Sequence, residues 1–338
     1  MTRITREYVK SLPKAELHMH LEGSLEPELM FKLAQRNKIR LNYANVGEVK
    51  RAYKFKDLQS FLEIYYQSAK VLCTAEDFYD LTTAYLQRCV DDGVDHVEPF
   101  FDPQTHLARG VPLEAQIEGI GNALRDAGSR WGISSGLILC ILRHLPADEG
   151  MSVYEQARPM IGEFIGLGLD SSELNNPPRR FAQIFEAAKA DGLKLVAHAG
   201  EEGPPSYVWE AMQTLKVQRI DHGVQALKDP RLVEHLIDLQ VPLTVCPNSN
   251  IRLKVFNHMA EHPVLRMLDQ GMNVTINSDD PAYFGGYLLD NFMAVDQAIG
   301  MSRREAALLA RNSIAASFLD PARKAQLLAK LPLRDLRN

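Results

Sequence analysis

Two histidines, His18 and His20, lie two positions apart in the apolar segment 15–21 near the start of the chain. Because side chains alternate along a β-strand, both imidazoles would project from the same face. Neutral imidazole nitrogens placed side by side suit a borderline-soft divalent metal ion such as zinc. Taken alone, this pair is a weak signal, since two unrelated histidines give the same pattern.

Three later segments, residues 198–201, 221–223 and 278–281, supply the other groups that a metal-dependent hydrolase needs. His198 would add a third nitrogen ligand, and Asp279 would add an anionic oxygen. Three or four protein ligands leave a position open for water, which is typical of catalytic zinc. Zinc lowers the pKa of such a water from about 15.7 towards about 7 and so produces hydroxide at neutral pH.

The same segments contain three residues predicted to act on the substrate. Glu201 follows His198 by three positions, and burial there would raise its pKa and suit it to general acid catalysis. Asp280 would accept a hydrogen bond from water or from a substrate N–H, and His222 would orient the hydroxide and stabilise charge. Alternatively, His222 is a fifth ligand in a two-metal site, although segment 170–173 has no lysine to bridge two metals.

Composition excludes several classes of function. The 338 residues have a formal net charge of -5, which gives no reason to expect a nucleic acid or an anionic membrane as partner. The first residues lack the apolar segment of a signal peptide, and no stretch approaches the length of a membrane span. Four scattered cysteines without a CxxC motif are typical of reduced thiols in a cytoplasmic protein. The sequence leaves open whether the protein forms a homo-oligomer.

Short apolar runs rich in β-branched residues alternate with amphipathic helical patterns along the chain. There are eight such runs, at residues 15–21, 94–101, 136–142, 164–170, 193–199, 219–223, 242–247 and 273–277. Eight strand–helix units predict an α/β fold, a single (β/α)8 TIM-type barrel over residues 1–338. All the polar segments follow predicted strands one, five, six and eight, whose carboxyl ends meet at one mouth of the barrel.

The first connection is unusually long, and residues 24–92 are predicted to form a helical insertion. Three helices are expected: residues 27–35 with Ser24 as a cap, residues 58–71, and one starting after Thr74 with Asp77 completing a capping box. Above the active face, this insertion is either a lid or a set of stabilising helices. The tail, residues 302–331, is predicted to be helical and to pack outside the barrel.

Taken together, segments 12–23, 198–201, 219–223, 246–250 and 277–281 resemble the adenosine/adenine deaminase branch of the metal-dependent amidohydrolases. The resemblance extends over nearly the whole chain. It implies a barrel of the metal-dependent hydrolase kind, one Zn²⁺ per subunit, a proton donor at Glu201, and hydroxide-orienting roles for His222 and Asp280. The zinc ligands that it implies are His18, His20, His198 and Asp279.

Two departures from the adenosine deaminase pattern bear on the substrate. Glu22 stands where adenosine deaminases typically have an aspartate that engages ribose, and Asp170-Ser171-Ser172-Glu173 replaces their longer Asp-Leu-Ala-Gly-Asp-Glu loop. Both variants resemble the branch that acts on free adenine. Glu22 would share the strand face of the histidines and point into the mouth. Glu22, Ser172 and Glu173 are therefore predicted, with Asp280, to bind the substrate.

The expected reaction is the hydrolytic deamination of adenine to hypoxanthine and ammonia, as part of purine salvage. One alternative is the deamination of adenosine or of another 6-substituted purine. The other is a zinc-bearing barrel that only binds a ligand. Glu201, His222 and Asp280 disfavour this second alternative, because a binding protein has no need of a proton donor.

Overall fold

Ten short parallel strands lie at the centre of the computed structural model, which describes residues 3–336. In chain order they are β1 (Ala15–Glu16), β2 (His96–Val97), β3 (Phe100–Phe101), β4 (Ser134–Ser135), β5 (Ile138–Leu142), β6 (Gly166–Asp170), β7 (Lys194–Ala199), β8 (Arg219–His222), β9 (Leu243–Val245) and β10 (Val274–Ile276).

These strands close into a ring. Seven of them pair in the order β10-β9-β8-β7-β6-β5-β3. The other three form a second sheet in the order β1-β2-β4, in which β2 directly precedes β3 along the chain and β4 directly precedes β5. The ring closes through the segment after β1, where Met19 bridges to Asp279 and His20 bridges to Phe100. The His20 N–H donates to the Asp279 carbonyl at 3.0 Å, and the Phe100 N–H donates to the Met19 carbonyl at 2.8 Å. The predicted eight-stranded parallel barrel is confirmed.

Predicted strands one and two are each broken, and side chains explain why. The Leu17 N–H donates to Asn277 Oδ1 at 3.0 Å instead of to a strand carbonyl. On the neighbouring segment, the Ser278 N–H donates to Glu16 Oε1 at 2.8 Å. Pro99 separates β2 from β3 because proline has no N–H to donate.

Helices cover the outside of the ring and connect its strands. They are α1 (Arg6–Ser11), α2 (Pro27–Arg36), α3 (Val46–Ala52), α4 (Leu58–Ser68), α5 (Ala75–Asp92), α6 (Pro103–Leu107), α7 (Leu113–Trp131), α8 (Ala147–Ala157), α9 (Ala182–Ala190), α10 (Pro205–Gln213), α11 (Pro230–Asp238), α12 (Pro247–Arg252), α13 (Val264–Asp269), α14 (Pro281–Phe284), α15 (Leu288–Ile299), α16 (Arg303–Ala316), α17 (Pro321–Ala329) and α18 (Leu333–Leu336).

The insertion after strand one has four α-helices, α2 to α5, where the sequence predicts three. The additional helix is α3, which begins after Asn45, whose side chain accepts a hydrogen bond from the Glu48 N–H. The prediction of Ser24 as a cap is wrong: Ser24 lies in the 3-10 turn Glu22–Ser24, and α2 begins after Glu26. The capping box of Thr74 and Asp77 at the start of α5 is confirmed.

The C-terminal helices pack on the outer surface of the barrel, as predicted. The Asn312 side chain on α16 donates to the Val274 carbonyl of β10 at 3.0 Å, and Ser313 accepts from the Ala15 N–H of β1 at 2.9 Å. The single domain over residues 1–338 stays a prediction, and its first two and last two residues lie outside the described range. Among the described helices, none has the length and apolar character needed to cross a membrane.

Candidate active site

Three imidazoles and one carboxylate converge at the mouth of the barrel. His18 and His20 follow β1, His198 lies on β7, and Asp279 follows β10. Their ligand atoms all lie within 4.8 Å of one another, and the four side chains are buried. His20 Nε2 is 3.2 Å from His198 Nε2, and Asp279 Oδ1 is 3.4 Å from His18 Nε2. The structure thus brings together the four residues that the sequence predicts as metal ligands.

The outer nitrogens of these imidazoles contact groups that fix their orientation. His18 Nδ1 lies 3.2 Å from the Thr244 carbonyl oxygen. Because a carbonyl can only accept, Nδ1 carries the proton, and the lone pair of Nε2 faces the cluster. His198 Nδ1 lies 3.6 Å from Asp221 Oδ2. In metal-binding histidines, the ring nitrogen that faces away from the metal typically contacts a carbonyl or a carboxylate.

The cluster fits a divalent metal ion. His18 Nε2 is buried and has no hydrogen-bond partner within residues 3–336. Burial alone would raise the pKa of Asp279, but His18 and the neighbouring imidazoles draw that pKa well below its usual range, which keeps the carboxylate anionic. Neutral nitrogens with one carboxylate oxygen form a donor set that zinc prefers.

A second, overlapping group shares two of these residues. His18, His222, Cys246 and Asp279 also present ligand atoms within 4.8 Å of one another. His222 Nε2 lies 3.8 Å from Asp279 Oδ2 and 3.5 Å from Glu201 Oε2. His222 therefore lies between the metal cluster and the predicted acid, a position that fits both the hydroxide-orienting role and the alternative of a further ligand.

Glu201 has the environment of a carboxyl group that keeps its proton. It lies on the turn after β7, is 3% exposed, and its Oε1 has no hydrogen-bond partner in the described chain. Burial raises the pKa of Glu201 well above its usual range, and the negative charges of Asp279 and Glu173 raise it further. Burial also lowers the pKa of His222 to about 3. A carboxyl group with a raised pKa thus lies beside a neutral imidazole.

Asp280 is buried next to Asp279, and its Oδ1 has no hydrogen-bond partner among the described residues. Burial and then the charge of Asp279 raise the pKa of Asp280 well above its usual range. Gly23 lies against it so closely that a Cβ atom at Gly23 would be 2.8 Å from the Asp280 Cα. A glycine is therefore required at this position, three residues after His20.

Backbone strain occurs at three residues around the site. His222, Asp279 and Ser171 have φ angles of 66°, 64° and 69°, in the left-handed region that residues with a side chain rarely adopt. All three line the same cavity. Strained backbone at strand ends is a recurrent feature of functional sites, where the surrounding fold holds a side chain in a required direction.

A small cavity of about 40 Å³ lies at the centre of these groups. Helix α4 of the insertion covers it with Leu58, Phe61, Leu62 and Tyr65. Pockets that hold small molecules usually measure about 300–1,000 Å³. Helix α4 thus lies over the cavity, and the role of the insertion as a lid stays a prediction.

The structure contradicts the reason for which Glu22 was predicted to bind substrate. The extended segment ends before Glu22, which begins a 3-10 turn, so it does not share the strand face of His18 and His20. Glu22 Oε1 accepts from the Asp102 N–H at 3.2 Å and lies 2.7 Å from His106 Nε2. Among the described residues that line the cavity, Glu22 is not found.

Ser172 and Glu173 also lie outside the lining of the cavity, again within the described chain, whereas Ser171 belongs to it. The Glu173 carboxylate instead accepts hydrogen bonds from three backbone N–H groups of the turn that contains Glu201, namely those of Gly200, Glu201 and Gly203. Substrate binding by Ser172 and Glu173 therefore stays a prediction, while the observed contacts of Glu173 are with the backbone. Glu173 holds the turn that presents Glu201.

Sequence reasoning missed several residues that line the cavity, above all Asp102, Asp170 and Tyr65. Two of them carried a signal, because Asp102 follows predicted strand two and Asp170 ends predicted strand four, where a barrel builds its site. Burial and then the charge of Asp102 raise the pKa of Asp170 well above its usual range. No local pattern indicated Tyr65, which reaches the site from α4.

Comparison with known proteins agrees with this architecture. A sequence model described as adenosine deaminase matches residues 13–332. The chain belongs to the adenosine deaminase family. The curated adenine deaminase of Hahella chejuensis is 57% identical over 326 residues, which cover 96% of this chain and 98% of the relative. That of Bordetella avium is 57% identical over 310 residues, which cover 92% and 98%. The family predicted from the motifs is confirmed.

Solved structures share the fold. The crystal structure of an adenine deaminase from Arthrobacter aurescens has a TM-score of 0.93 and 48% identity, over 94% of this chain and 98% of that one. An amidohydrolase from Burkholderia ambifaria, solved with bound Zn, has a TM-score of 0.88 and 26% identity, over 97% and 92%. The barrel and its helical insertion are thus shared along almost the whole length.

Proposed function

We propose that this protein hydrolytically deaminates adenine to hypoxanthine and ammonia, with one zinc ion per subunit, as a step in purine salvage. The observation that carries the proposal is the presence, around one cavity, of a four-residue candidate metal cluster and the buried Glu201, whose burial raises its pKa. The names of the two relatives at 57% identity, both adenine deaminases, support the same substrate.

The metal would be held by His18, His20, His198 and Asp279. When bound, zinc would lower the pKa of a coordinated water and so supply a nucleophile at neutral pH. Zinc is supported by the nitrogen-rich donor set and by the Zn bound in the amidohydrolase from Burkholderia ambifaria. A single ion is supported by the segment 170–173 at the end of β6, which contains no lysine that could bridge two metals.

Glu201 would act as the general acid. With adenine N1 next to the Glu201 carboxyl and C6 facing the metal cluster, the carboxyl proton passes to N1 and makes C6 electron-poor. Water then adds to C6, and one of its protons passes to the amino group, which leaves as ammonia when the C6–N6 bond breaks. The other proton of the water returns to the Glu201 carboxylate. The oxygen of the water remains on C6 of hypoxanthine. The pKa of Glu201, raised by burial, supports this role, because a raised pKa favours the acid form.

His222 and Asp280 would orient the reactants. His222 is neutral at neutral pH, since burial lowers its pKa to about 3, so it can accept a hydrogen bond from the attacking water. Asp280 lines the cavity with an oxygen that has no partner within the described residues, and it would hydrogen-bond the purine ring. Each contact positions a group whose charge changes during the reaction.

The alternative substrate is adenosine, which the name of the matching family model favours. A side-by-side measurement of steady-state rates with adenine and adenosine, by absorbance and ammonia release, separates the two. We expect adenine to have the higher kcat/KM. Metal analysis of the same preparation should give one zinc per chain, and chelation followed by zinc should abolish and restore turnover. Equal efficiency on both substrates, or turnover that survives complete metal removal, would contradict the proposal.

A further inference from the structure

The cavity has a second polar wall, formed by Asp102 after β3 and Asp170 at the end of β6. Both side chains are buried, at 3% and 1% exposure. Asp102 Oδ1 and both oxygens of Asp170 have no hydrogen-bond partner among residues 3–336. Buried acceptors in native proteins almost always have a donor, and leaving one unpaired is costly. A donor from a ligand is therefore expected at this wall.

The two carboxyl groups differ in what else they contact. Asp170 Oδ2 lies 3.5 Å from His20 Nδ1, on the outer side of a predicted metal ligand, so Asp170 orients that imidazole. Asp102 Oδ2 accepts from the Tyr65 hydroxyl of α4 at 3.1 Å. Asp102 also faces the Asp170 carboxyl group, and its Oδ1 has no N–H donor or other hydroxyl donor within residues 3–336. The nearby Glu22 is already bound to His106 at 2.7 Å. Asp102 Oδ1 is thus the acceptor that a ligand can use.

The chemistry of the purine identifies the matching donor. The proposed function places N1 at Glu201 and C6 at the metal cluster, which together fix the six-membered ring. The five-membered ring then faces the rest of the cavity lining, whose polar groups include Asp102 and Asp170. Free adenine has one N–H on that ring, whereas a nucleoside has carbon bonded at the same nitrogen. Only the free base can donate a hydrogen bond there.

We propose that Asp102 is the specificity-determining residue for the free base and accepts a hydrogen bond from the N9–H of adenine. This inference rests on the proposed function and adds the residue that selects its substrate. Asp102 thus takes the substrate-binding role that the sequence predicted for Glu22. The bond from Tyr65 also joins Asp102 to the covering helix α4, so a ribose on N9 would meet the closed insertion.

A different ligand would be a second cation, because His20, Asp102 and Asp170 also present ligand atoms within 4.8 Å of one another. The base is favoured over the cation because His20 already directs Nε2 at the first cluster, 3.5 Å from Asp279 Oδ1. A second ion would then share this single imidazole through its other nitrogen. The metal content of the unmodified and variant proteins distinguishes a bound base from a second cation.

The test compares adenine with 9-methyladenine, which lacks the N9–H but carries no sugar, and with adenosine. In Asp102→Ala, which removes the acceptor, kcat/KM for adenine should fall about 10- to 100-fold, the usual effect of one buried polar contact on substrate discrimination. The values for 9-methyladenine and adenosine should not fall, so the preference for the free base shrinks. Bound zinc and the thermal unfolding midpoint should match those of the unmodified protein.

Two matched variants serve as controls. Tyr65→Phe removes the other hydrogen bond of Asp102 but keeps its acceptor, so the preference for adenine over 9-methyladenine should persist. Asp170→Asn should lower activity on all substrates in parallel, because Asp170 acts through His20. An unchanged adenine preference in a folded Asp102→Ala protein would overturn the inference, as would the loss of a second metal equivalent. No turnover of adenine by the unmodified protein would instead overturn the proposed function.

Discussion

At the scale of single residues, the direction of a side chain decides its role, and strand alternation predicts direction only while the strand lasts. The side chains of His18, His20 and His198 point in the predicted direction and converge with Asp279. Glu22 does not, because the chain turns into a 3-10 helix there and the carboxylate binds His106. The left-handed backbone of Asp279, with φ of 64°, also had no signature in the sequence. Types and spacing thus predicted the cluster but not its supporting contacts.

The first residue-scale prediction concerns the general acid. Glu201→Gln keeps the size of the side chain but removes the proton that N1 requires. We expect kcat with adenine to fall at least about 10²-fold, the usual contribution of general acid catalysis, while zinc content stays unchanged.

The matched control for this variant is Glu202→Gln, which changes the neighbouring half-buried carboxyl group. Its burial, together with the charges of Glu173 and Asp57, raises the pKa of Glu202 to about 7, but the residue does not line the cavity within the described chain. Activity close to that of the unmodified protein is expected. If zinc-loaded Glu201→Gln were equally active, Glu201 would not be the acid.

At the scale of elements, the turn after β7 depends on a residue from another loop. Glu173, which follows β6, accepts hydrogen bonds from the Gly200 N–H at 3.2 Å and the Glu201 N–H at 3.3 Å. The sequence predicted both strands and both loops, but not that one loop binds the other. Contacts between residues 27 and 28 positions apart have no local pattern that predicts them. Helix α3 was not predicted either, because it is short and packs within the insertion.

Glu173→Gln tests this arrangement. An amide accepts fewer hydrogen bonds than a carboxylate, so the turn should lose about 1–3 kcal/mol of local stability. We expect faster amide hydrogen exchange at Gly200 and Gly203, and a lower kcat with unchanged zinc. The negative charge of Glu173 also raises the pKa of Glu201. Removing that charge lowers the pKa of Glu201, so the alkaline limb of the pH–rate profile should move to lower pH.

The Glu202→Gln variant supplies the comparison for hydrogen exchange, since it alters a carboxyl group on the same turn without removing these hydrogen bonds. Slow exchange at Gly200 and Gly203 in Glu173→Gln, together with an unshifted pH profile, would show that the turn does not need this carboxylate.

At the scale of the whole molecule, the closed ring brings distant residues together. Leu17 and Asn277 are hydrogen-bonded although they lie 260 positions apart. The number and order of the strands were predictable, because eight strand–helix repeats commonly form one closed barrel. The broken strands were not, because side chains of Glu16 and Asn277 replace backbone partners at the seam. A pattern of apolar residues indicates which positions are buried, but it does not indicate which atoms form hydrogen bonds.

A buried ion pair joins several parts of this ring. Arg219 at the start of β8 contacts Glu98, which lies between β2 and β3, and donates to the Leu17 carbonyl at 3.1 Å. Glu98 also lies 3.0 Å from His96 Nε2 and accepts from the Phe318 N–H of the C-terminal segment. Both charged side chains are fully buried. Removing one partner would leave the other charge buried and unpaired.

Glu98→Gln should therefore lower the free energy of unfolding at neutral pH by about 3–5 kcal/mol, as measured by urea denaturation. Burial alone would raise the pKa of Glu98, but Arg219 and His96 lower it from 4.5 to about 2. A lowered carboxyl pKa contributes stability that is present above pH 4.5 and is lost as the pH falls towards 2. The stability difference between the two proteins should therefore narrow below pH 4.5.

The control is Glu163→Gln, which breaks the exposed pair of Glu163 and Arg125 at 2.8 Å. An exposed ion pair contributes about 0–1 kcal/mol, because water screens both charges. Its small effect should also respond to salt, whereas the effect of Glu98→Gln should not, since no solvent reaches the buried pair. A constant difference between Glu98→Gln and the unmodified protein from neutral pH to acid would mean that the ionised form of Glu98 does not stabilise the ring.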